Sequence, residues 1–543
     1  MIIIIDNEEK IQKSTIKGLY KIDDKIYINK AKTNLEGVIY SGNFNDVNGI
    51  QNLEDSPSGE YTRTVINDSE ITVYVDPMGF NHLYLYNENN VIILSNSFKE
   101  IFNLIKRNNL PISTNKEITA SALLIGAPLV PGTGIKEIQL LTNNEYICIN
   151  RKQKTLRRQE RNYWNFIFDV YSGRYKYEDL LNFAAERLKS NALNFINLNT
   201  GKIPIVEVTG GLDSRLVLAT LLSENFKNFK IYTFGASDSF DQRYSQLVQN
   251  LFSLETISYV NDKSRLQAAK ENWLLTSGAF VPVDISFRSN YKRSDYFAFA
   301  GTGGELCRGY YFKNTFRKFI KSLENIYNYS DYELFKLLIS QFANTYLLAE
   351  NFIDVIAEKA AKYYSNYKLS KELYLLLDYS FFQSRVRWHC GQQMSYRREN
   401  YIDTISILND FIFHSLSFSI NGYKRIADTN VLNLLEILYP PLKFFPYQDN
   451  NPFVNGAKSL SIFNLPEKRT TPSKLSIGFG KKTSENEEEN RRLLDMFFLE
   501  FLNNDYSDYF KKKAIDKLVM NKDAKNKLLE RISPIIFWNH YTK

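Results

Sequence analysis

The pattern of hydrophobic and polar positions changes near residue 165. Before that point, short β-branched or aromatic runs are separated by Asn, Asp and Gly, and such runs predict short strands. These runs lie at 73–75, 82–86, 91–94 and 146–149. Only 98–105 and 116–126 have a helical pattern, and the apolar run that follows Met1 resembles a first strand more than a signal peptide. The pattern predicts a β-rich N-terminal part.

From about residue 172, longer helical patterns alternate with strands. Helices are predicted at 177–196, 212–223 and 242–251, and strands at 203–208, 230–234 and 296–300. Strand alternating with helix indicates a parallel, doubly wound sheet. After about residue 312 the pattern is mostly helical. The basic segment 151–161 is interpreted as a linker, so we predict one domain over 1–165 and another over 172–543.

Composition narrows the class of protein. The chain has 543 residues, which allows two or three domains, and 44% are hydrophobic, as in ordinary globular proteins. A net charge of +8 without a dense basic stripe argues against a nucleic-acid partner. The three cysteines form no CxxC pair and the four histidines have no metal-ligand spacing. We therefore expect a cytoplasmic protein without disulfides, zinc knuckle or membrane span.

The segment 206–222 carries the strongest chemical signal. An apolar strand-like run ends in Thr209-Gly210-Gly211-Leu212-Asp213-Ser214-Arg215, and an apolar helix follows. Backbone N–H groups of glycines and a helix start can bind phosphate. Asp213 would repel phosphate unless Mg²⁺ lay between them, so the segment predicts a Mg²⁺–phosphate site. The segment resembles the pyrophosphate loop of ATP pyrophosphatases.

Two further glycine turns follow in order. The first contains Phe234, Gly235 and Asp241, and the second follows the strand at 296–300 and carries Glu305. Ligands bind at the carboxyl ends of strands in an open α/β sheet, so we expect Asp213 and Glu305 to meet there and share one Mg²⁺.

The order of these three loops resembles the asparagine synthetase family, which includes β-lactam synthetases and lasso-peptide cyclases. The family has Ser-Gly-Gly-Leu-Asp-Ser, then Gly-Phe-Glu…Asp-Glu, then Gly-x-Gly-x-Asp-Glu-x-x-x-Gly-Tyr, which are similar to 209–214, 234–241 and 301–310 here. Segments 75–84, 94–100, 162–165 and 406–410 also resemble family motifs. The resemblance implies an Ntn-hydrolase-like β-sandwich, of the class II glutamine amidotransferase type, followed by a parallel sheet of the ATP-pyrophosphatase (adenine nucleotide α-hydrolase-like) type.

The resemblance also implies the site residues. ATP would be bound by Val208, Thr209, Gly210, Gly211, Leu212, Asp213, Ser214, Arg215, Phe234, Gly235, Gly301, Thr302 and Gly303. Mg²⁺ would be held by Asp213 and Glu305, which are also catalytic. Arg215 departs from the family, which more often has a small residue there, and we expect it to add a cation near the phosphates. A late lysine would stabilise the transition state; Lys443 is the candidate, with Lys424 and Lys458 as alternatives.

Two departures from the family pattern restrict the reaction. Position 2 is Ile and no cysteine lies near the start, so the N-terminal domain would be a degenerate one without glutaminase activity. Thr302 stands where the family has Glu or Tyr, and Thr is a poor general base, so another group must take the proton.

The expected function is therefore an AMP-forming ligase that adenylates a small-molecule or peptide carboxylate and passes it to an amine without glutamine. Such a ligase would act in the biosynthesis of a natural product, a modified peptide or a surface polysaccharide. A tRNA-modifying enzyme is disfavoured by the β-rich first part and the missing CxxC. The alternative is a catalytically degenerate binding or scaffold protein on the same fold. The sequence leaves open whether the chain binds a partner protein or forms a homodimer.

Overall fold

The computed structural model describes residues 2–13, 19–29, 33–35, 38–44, 59–115, 117–118, 121–122, 127–161, 167, 169–170, 172–233, 238–257, 294–311, 329–340, 350–365, 373–400, 402–447 and 462–466. These residues form a mixed α/β structure with antiparallel sheets, a five-stranded parallel sheet and helices.

The first part of the chain forms two antiparallel sheets. Its strands are β1 (Ile2–Asp6), β2 (Leu19–Asp23), β3 (Ile26–Asn29), β4 (Thr33–Leu35), β5 (Val38–Phe44), β6 (Gly59–Ile66), β7 (Glu70–Val75), β8 (Tyr84–Glu88), β9 (Val91–Ser95), β10 (Ile138–Leu140), β11 (Glu145–Asn150) and β12 (Thr155–Glu160). One sheet has the order β10-β8-β9-β1-β3-β2 and the other β12-β11-β7-β6-β5-β4. The predicted strands at 73–75, 82–86, 91–94 and 146–149 correspond to β7, β8, β9 and β11.

The two antiparallel sheets pack face to face. Ile3 and Ile5 of β1 share one apolar cluster with Ile71 and Val73 of β7, whereas Ile2 and Ile4 belong to the cluster that contains helix α1 (Phe98–Arg107). Because alternate residues of a strand point to opposite faces, a strand buried on both faces needs a continuous apolar run. This explains the isoleucine run at the start of the chain.

The interpretation of 151–161 as a linker is wrong. Residues Thr155–Glu160 form β12, which pairs antiparallel with β11 along its whole length. All its residues except Leu156 are exposed. An edge strand of this kind carries charged side chains that discourage pairing with another chain, and its polarity conceals the strand pattern.

The second part is built on a parallel sheet. In chain order its elements are α2 (Tyr177–Leu198), β13 (Ile203–Glu207), α3 (Leu212–Ser223), β14 (Lys230–Tyr232), α4 (Phe240–Phe252), β15 (Glu255–Thr256), β16 (Tyr296–Phe299) and β17 (Thr404–Ile405). The strand order is β15-β14-β13-β16-β17, and every neighbouring pair is parallel. The predicted strand–helix alternation is confirmed, and helix α3 has the predicted bounds.

Helices surround this sheet. They are α5 (Asp331–Ser340), α6 (Glu350–Ser365), α7 (Leu373–Phe381), α8 (Gly391–Asn400), α9 (Phe411–Phe418), α10 (Gly422–Ile426) and α11 (Thr429–Leu438). A π-helical segment, Phe382–Cys390, joins α7 to α8, and short 3₁₀ helices occupy Gly304–Arg308 and Pro440–Phe444. Helices α2, α3 and α11 pack against one another over the sheet.

The two parts meet in one apolar cluster and in a buried polar junction. Asn409 donates to the Gly59 carbonyl at 2.9 Å and to Asp76 Oδ1 at 3.0 Å, and its Oδ1 accepts from the Met78 N–H at 3.2 Å. Met78 and Phe80 belong to the same cluster as Leu306. The division of the chain into two domains stays a prediction.

In the ranges that the structure describes, no helix has the length and apolar character needed to cross a bilayer.

Candidate functional site

The glycine turn after β13 lies at the carboxyl edge of the parallel sheet. Strand pairing continues to Val208, whose N–H donates to the Tyr232 carbonyl at 2.9 Å. A side chain at Gly210 would place its Cβ 2.0 Å from the Phe240 ring, so only glycine fits there. Gly211 caps helix α3 without any side-chain hydrogen bond to the first-turn N–H groups. The start of α3 therefore keeps the donors and partial positive charge that suit an anion.

Thr209 and Ser214 close the turn. Their hydroxyls lie 2.9 Å apart, and the Gly211 N–H donates to Thr209 Oγ1 at 3.2 Å. The Gly210 N–H donates to Asp241 Oδ1 at 2.8 Å, which links this turn to the start of α4. These bonds hold the turn in shape, and a ligand that used the same donors would have to replace them.

The third glycine turn packs directly on Asp213. A Cβ at Gly301 would lie 2.7 Å from the Asp213 carbonyl carbon, and a Cβ at Gly304 would lie 2.7 Å from Asp213 Cβ and 2.8 Å from its Oδ1. Gly303 has a φ of +98°, where an L side chain is strained, and it packs against Met78. Glycine is thus required at three positions in order to bring the two loops together.

Asp213 has one carboxylate oxygen that is buried without a hydrogen-bond partner among the described residues, Oδ1. Its Oδ2 accepts from Arg308 Nη1 at 3.4 Å, and Arg308 Nε also bonds to Asp428 at 3.2 Å. Burial raises the pKa of Asp213 and Arg308 opposes the rise. Burial lowers the pKa of Arg308, but Asp213 and Asp428 hold it above its ordinary value. A buried, unsatisfied oxygen is costly, which is typical of a position that meets a ligand.

Glu305 lies beside Asp213. Its Oε2 accepts from the Gly303 N–H at 2.9 Å, and the Cys390 thiol lies 3.9 Å from its Oε1. Burial, together with the negative charge of Asp213, raises the pKa of Glu305 from its ordinary value of 4.5 to about 7. The two carboxylates therefore influence each other electrostatically, and the expectation that they share one Mg²⁺ stays a prediction.

These two carboxylates are the groups that could hold a cation. The described residues contain no cluster of three or more His, Cys, Asp or Glu side chains suited to a metal. Mg²⁺ keeps several waters and is commonly bound by one or two carboxylates plus substrate phosphates. The oxygen donors of Asp213 and Glu305 fit that ion, and the free Oδ1 of Asp213 offers it a position.

Two predicted residues lie away from the carboxylates. Arg215 is buried, and its guanidinium donates to the carbonyls of Gly210, Leu442, Phe445 and Pro446 at 2.9 to 3.4 Å. It also lies over the Tyr244 and Tyr447 rings. These bonds fasten the segment 442–446 to the glycine turn, and the expectation that Arg215 adds a cation near the phosphates stays a prediction. Lys443 points elsewhere too, since its Nζ pairs with Glu436 at 2.8 Å.

Of the other predicted positions, the structure describes some and not others. The Thr302 carbonyl accepts from Ser406 Oγ at 2.6 Å, so the third loop is tied to the segment that follows β17. Phe234 and Gly235 lie outside the described residues, as does Lys458.

The sequence alone did not indicate two linked residues, namely Arg308 beside Asp213 and Asp428 beside Arg308. Arg308 lies within the loop 301–310, three residues after Glu305, so its position was a usable signal. Asp428 lies in no motif of the sequence.

A scan against models of known protein families gave no match to this chain, and no curated protein sequence matches it.

Proposed function

We propose that this chain is an ATP-dependent, AMP-forming ligase that adenylates a substrate carboxylate and transfers it to an amine without using glutamine. The proposal includes the finer fold assignments, an Ntn-hydrolase-like sandwich and an ATP-pyrophosphatase-type sheet, as well as a cytoplasmic location.

One observation supports the proposal above the others. Asp213, at the start of a helix that follows a parallel strand, presents a buried oxygen without a partner among the described residues, and Gly304 of another loop packs on this side chain while Gly301 packs on its backbone. Asp213 lies in the first turn of α3, whose cap is Gly211, and it bonds no N–H group of its own helix, whereas Asp410, the N-cap of α9, bonds those of Ile412 and Phe413. Asp213 is therefore better suited to a ligand than to capping.

The reaction has two stages. A carboxylate oxygen of the substrate attacks the α-phosphorus of ATP, the bond to pyrophosphate breaks, and an acyl-adenylate forms. An amine then attacks the acyl carbon, AMP leaves, and the amine proton passes to a base. Holding both reactants at one sheet edge makes the second step effectively intramolecular.

Different residues of the chain would have different roles in this reaction. The Gly211 N–H and the other first-turn N–H groups of α3 would donate to the departing pyrophosphate, with the Thr209 and Ser214 hydroxyls beside them. Asp213 and Glu305 would hold Mg²⁺, which when bound supplies charge neutralisation for the phosphates. Arg308, fixed by Asp428, would place a cation at the same edge.

A degenerate binding protein is the second candidate. The bonds of Thr209 and Gly210 within the chain favour it, because they occupy donors that a phosphate would use. So does the outward direction of Lys443.

Binding of Mg·ATP and release of AMP separate the two candidates. We expect wild type to bind Mg·ATP by calorimetry, and to release AMP and pyrophosphate when supplied with extract of the native cell. Asp213→Ala should lose at least about tenfold in affinity, since it removes a charged ligand group. Asp68→Ala, an exposed turn substitution, serves as the matched control. Equal Mg·ATP binding by wild type and Asp213→Ala would refute the proposed site, and binding without AMP release would favour the binding protein.

A further inference from the structure

A cavity of about 450 Å³ lies between the edge of the antiparallel sheets and helix α6, and it includes no residue of the glycine turns. Its volume is within the range of small-molecule sites. The lining comes from β10, β11, β12, the segment before β10, and Tyr363 of α6. Its charged residues are Lys136, Glu145, Arg158, Glu160 and Arg161.

The lining of the cavity carries more positive than negative side chains. Glu145 is already engaged, because it accepts from Arg158 at 3.4 Å and from the N–H and hydroxyl of Thr142 at 3.0 and 2.9 Å. Lys136 and Arg161 form no ion pair with any residue that the structure describes, although Arg161 donates to the Val75 carbonyl at 2.9 Å and the charge of Asp76 acts on it. Glu160 is the one further carboxylate of the lining. An excess of positive charge in the lining of a cavity favours an anionic ligand.

A buried guanidinium adds to this positive charge. Arg387, in the π-helical segment, is fully buried, and none of its three side-chain nitrogens has a hydrogen-bond partner among the described residues. Burial lowers the pKa of Arg387, while Tyr363 and Glu145, both of which line the cavity, and the buried carboxylate Asp76 oppose that effect. Glu145 and Asp76 compensate the charge of Arg387 without hydrogen-bonding to it, so an anion at the cavity would stabilise this guanidinium further.

Acceptor atoms lie beside these cations. Asn144 lines the cavity and is 5% exposed; its amide donates to the Tyr379 hydroxyl at 2.6 Å, but its Oδ1 has no partner in the described part of the chain. Gln383 donates to the same hydroxyl at 3.0 Å, and its buried Oε1 likewise lacks a described partner. A ligand that satisfied this region would need a donor as well as a negative charge.

We propose that this cavity binds a small organic acid that also carries a hydroxyl or N–H donor. The carboxylate lies toward Lys136, Arg161 and the field of Arg387, and the donor group bonds to Asn144 Oδ1. The site is separate from the Asp213–Glu305 pair, so it does not depend on the ligase proposal.

The test uses L-malate, a small acid with a hydroxyl donor, in metal-free buffer. We expect 20 mM malate to raise the unfolding temperature of the full chain by about 2 °C, since a ligand that binds the folded state stabilises it by mass action. Sodium chloride of equal ionic strength and the neutral diamide of malic acid should give no comparable rise. Asp213→Ala should respond like wild type.

Substitutions locate the site. Lys136→Met should weaken malate binding at least about fivefold, whereas Lys99→Met, an exposed lysine on α1, should leave it unchanged. Arg387→Met should weaken malate binding at least about fivefold, because it removes one of the positive charges that act on the cavity. If Arg387→Met does not fold, Arg161→Met replaces it. No malate-specific rise in wild type, or equal responses of Lys136→Met and Lys99→Met, would overturn the proposal.

Discussion

Glu305 is expected to destabilise the fold at neutral pH. Its pKa is raised from 4.5 to about 7 by burial and by Asp213. Below pH 4.5 the carboxyl is protonated in both the folded and unfolded states, so it has no effect. As the pH rises, it ionises first in the unfolded chain, and folding stability falls until about pH 7, above which the loss is complete. A difference of this size corresponds to at most about 3.5 kcal/mol, because each tenfold change in an ionisation constant is worth about 1.4 kcal/mol.

Glu305→Gln removes the ionisation and keeps an oxygen that can accept from the Gly303 N–H. We therefore expect the variant to be more stable than wild type at pH 8 and nearly equal to it at pH 4.5. Urea unfolding of both proteins, in buffer with EDTA at several pH values, measures the difference. Glu88→Gln, an exposed carboxylate on β8, is the control and should show no such trend. A stability difference between Glu305→Gln and wild type that does not change between pH 4.5 and 8 would refute the reasoning.

Two further substitutions test the arrangement of the loops. Arg215→Met should cost about 3 kcal/mol or more in urea unfolding, because it leaves four carbonyls without their donor; a neutral effect would contradict the role of Arg215 in fastening 442–446. Gly304→Ala places a Cβ 2.8 Å from Asp213 Oδ1, so we expect a loss of about 1–3 kcal/mol in stability and at least tenfold weaker Mg·ATP binding by calorimetry. Unchanged affinity would mean that Asp213 can move without consequence.

Local pattern was sufficient for much of the fold. The strands β13, β14 and β16 and helix α3 follow from apolar runs that end at glycine turns, and such signals lie within about ten residues of the element they define. Strand β12 could not be found in this way, because an exposed edge strand carries no apolar alternation. Likewise, the two-residue strand β17 has no signal of its own, since its place depends on β16.

The candidate site shows the same difference between features set by local sequence and features set by distant residues. The roles proposed for Asp213, Glu305 and the glycines of both turns could be inferred from the sequence, because they depend on neighbours in sequence. The direction of Arg215 could not, since it depends on carbonyls 227 to 231 residues away. The pairing of Arg308 with Asp428, over 120 residues, is similarly invisible to a local pattern.

The long reach of Arg215 has a consequence for synthesis of the protein. Helix α3 leaves the ribosome long before its partner carbonyls, and Arg215 and Leu442 are separated by 227 residues. At roughly 5–20 residues per second, this interval lasts about 10–45 s. During that time the guanidinium has no native partner, and the turn that it fastens cannot take its final shape. Nascent chains that stop before residue 446 should therefore contain every predicted phosphate-binding residue and yet have an incompletely folded, protease-sensitive loop.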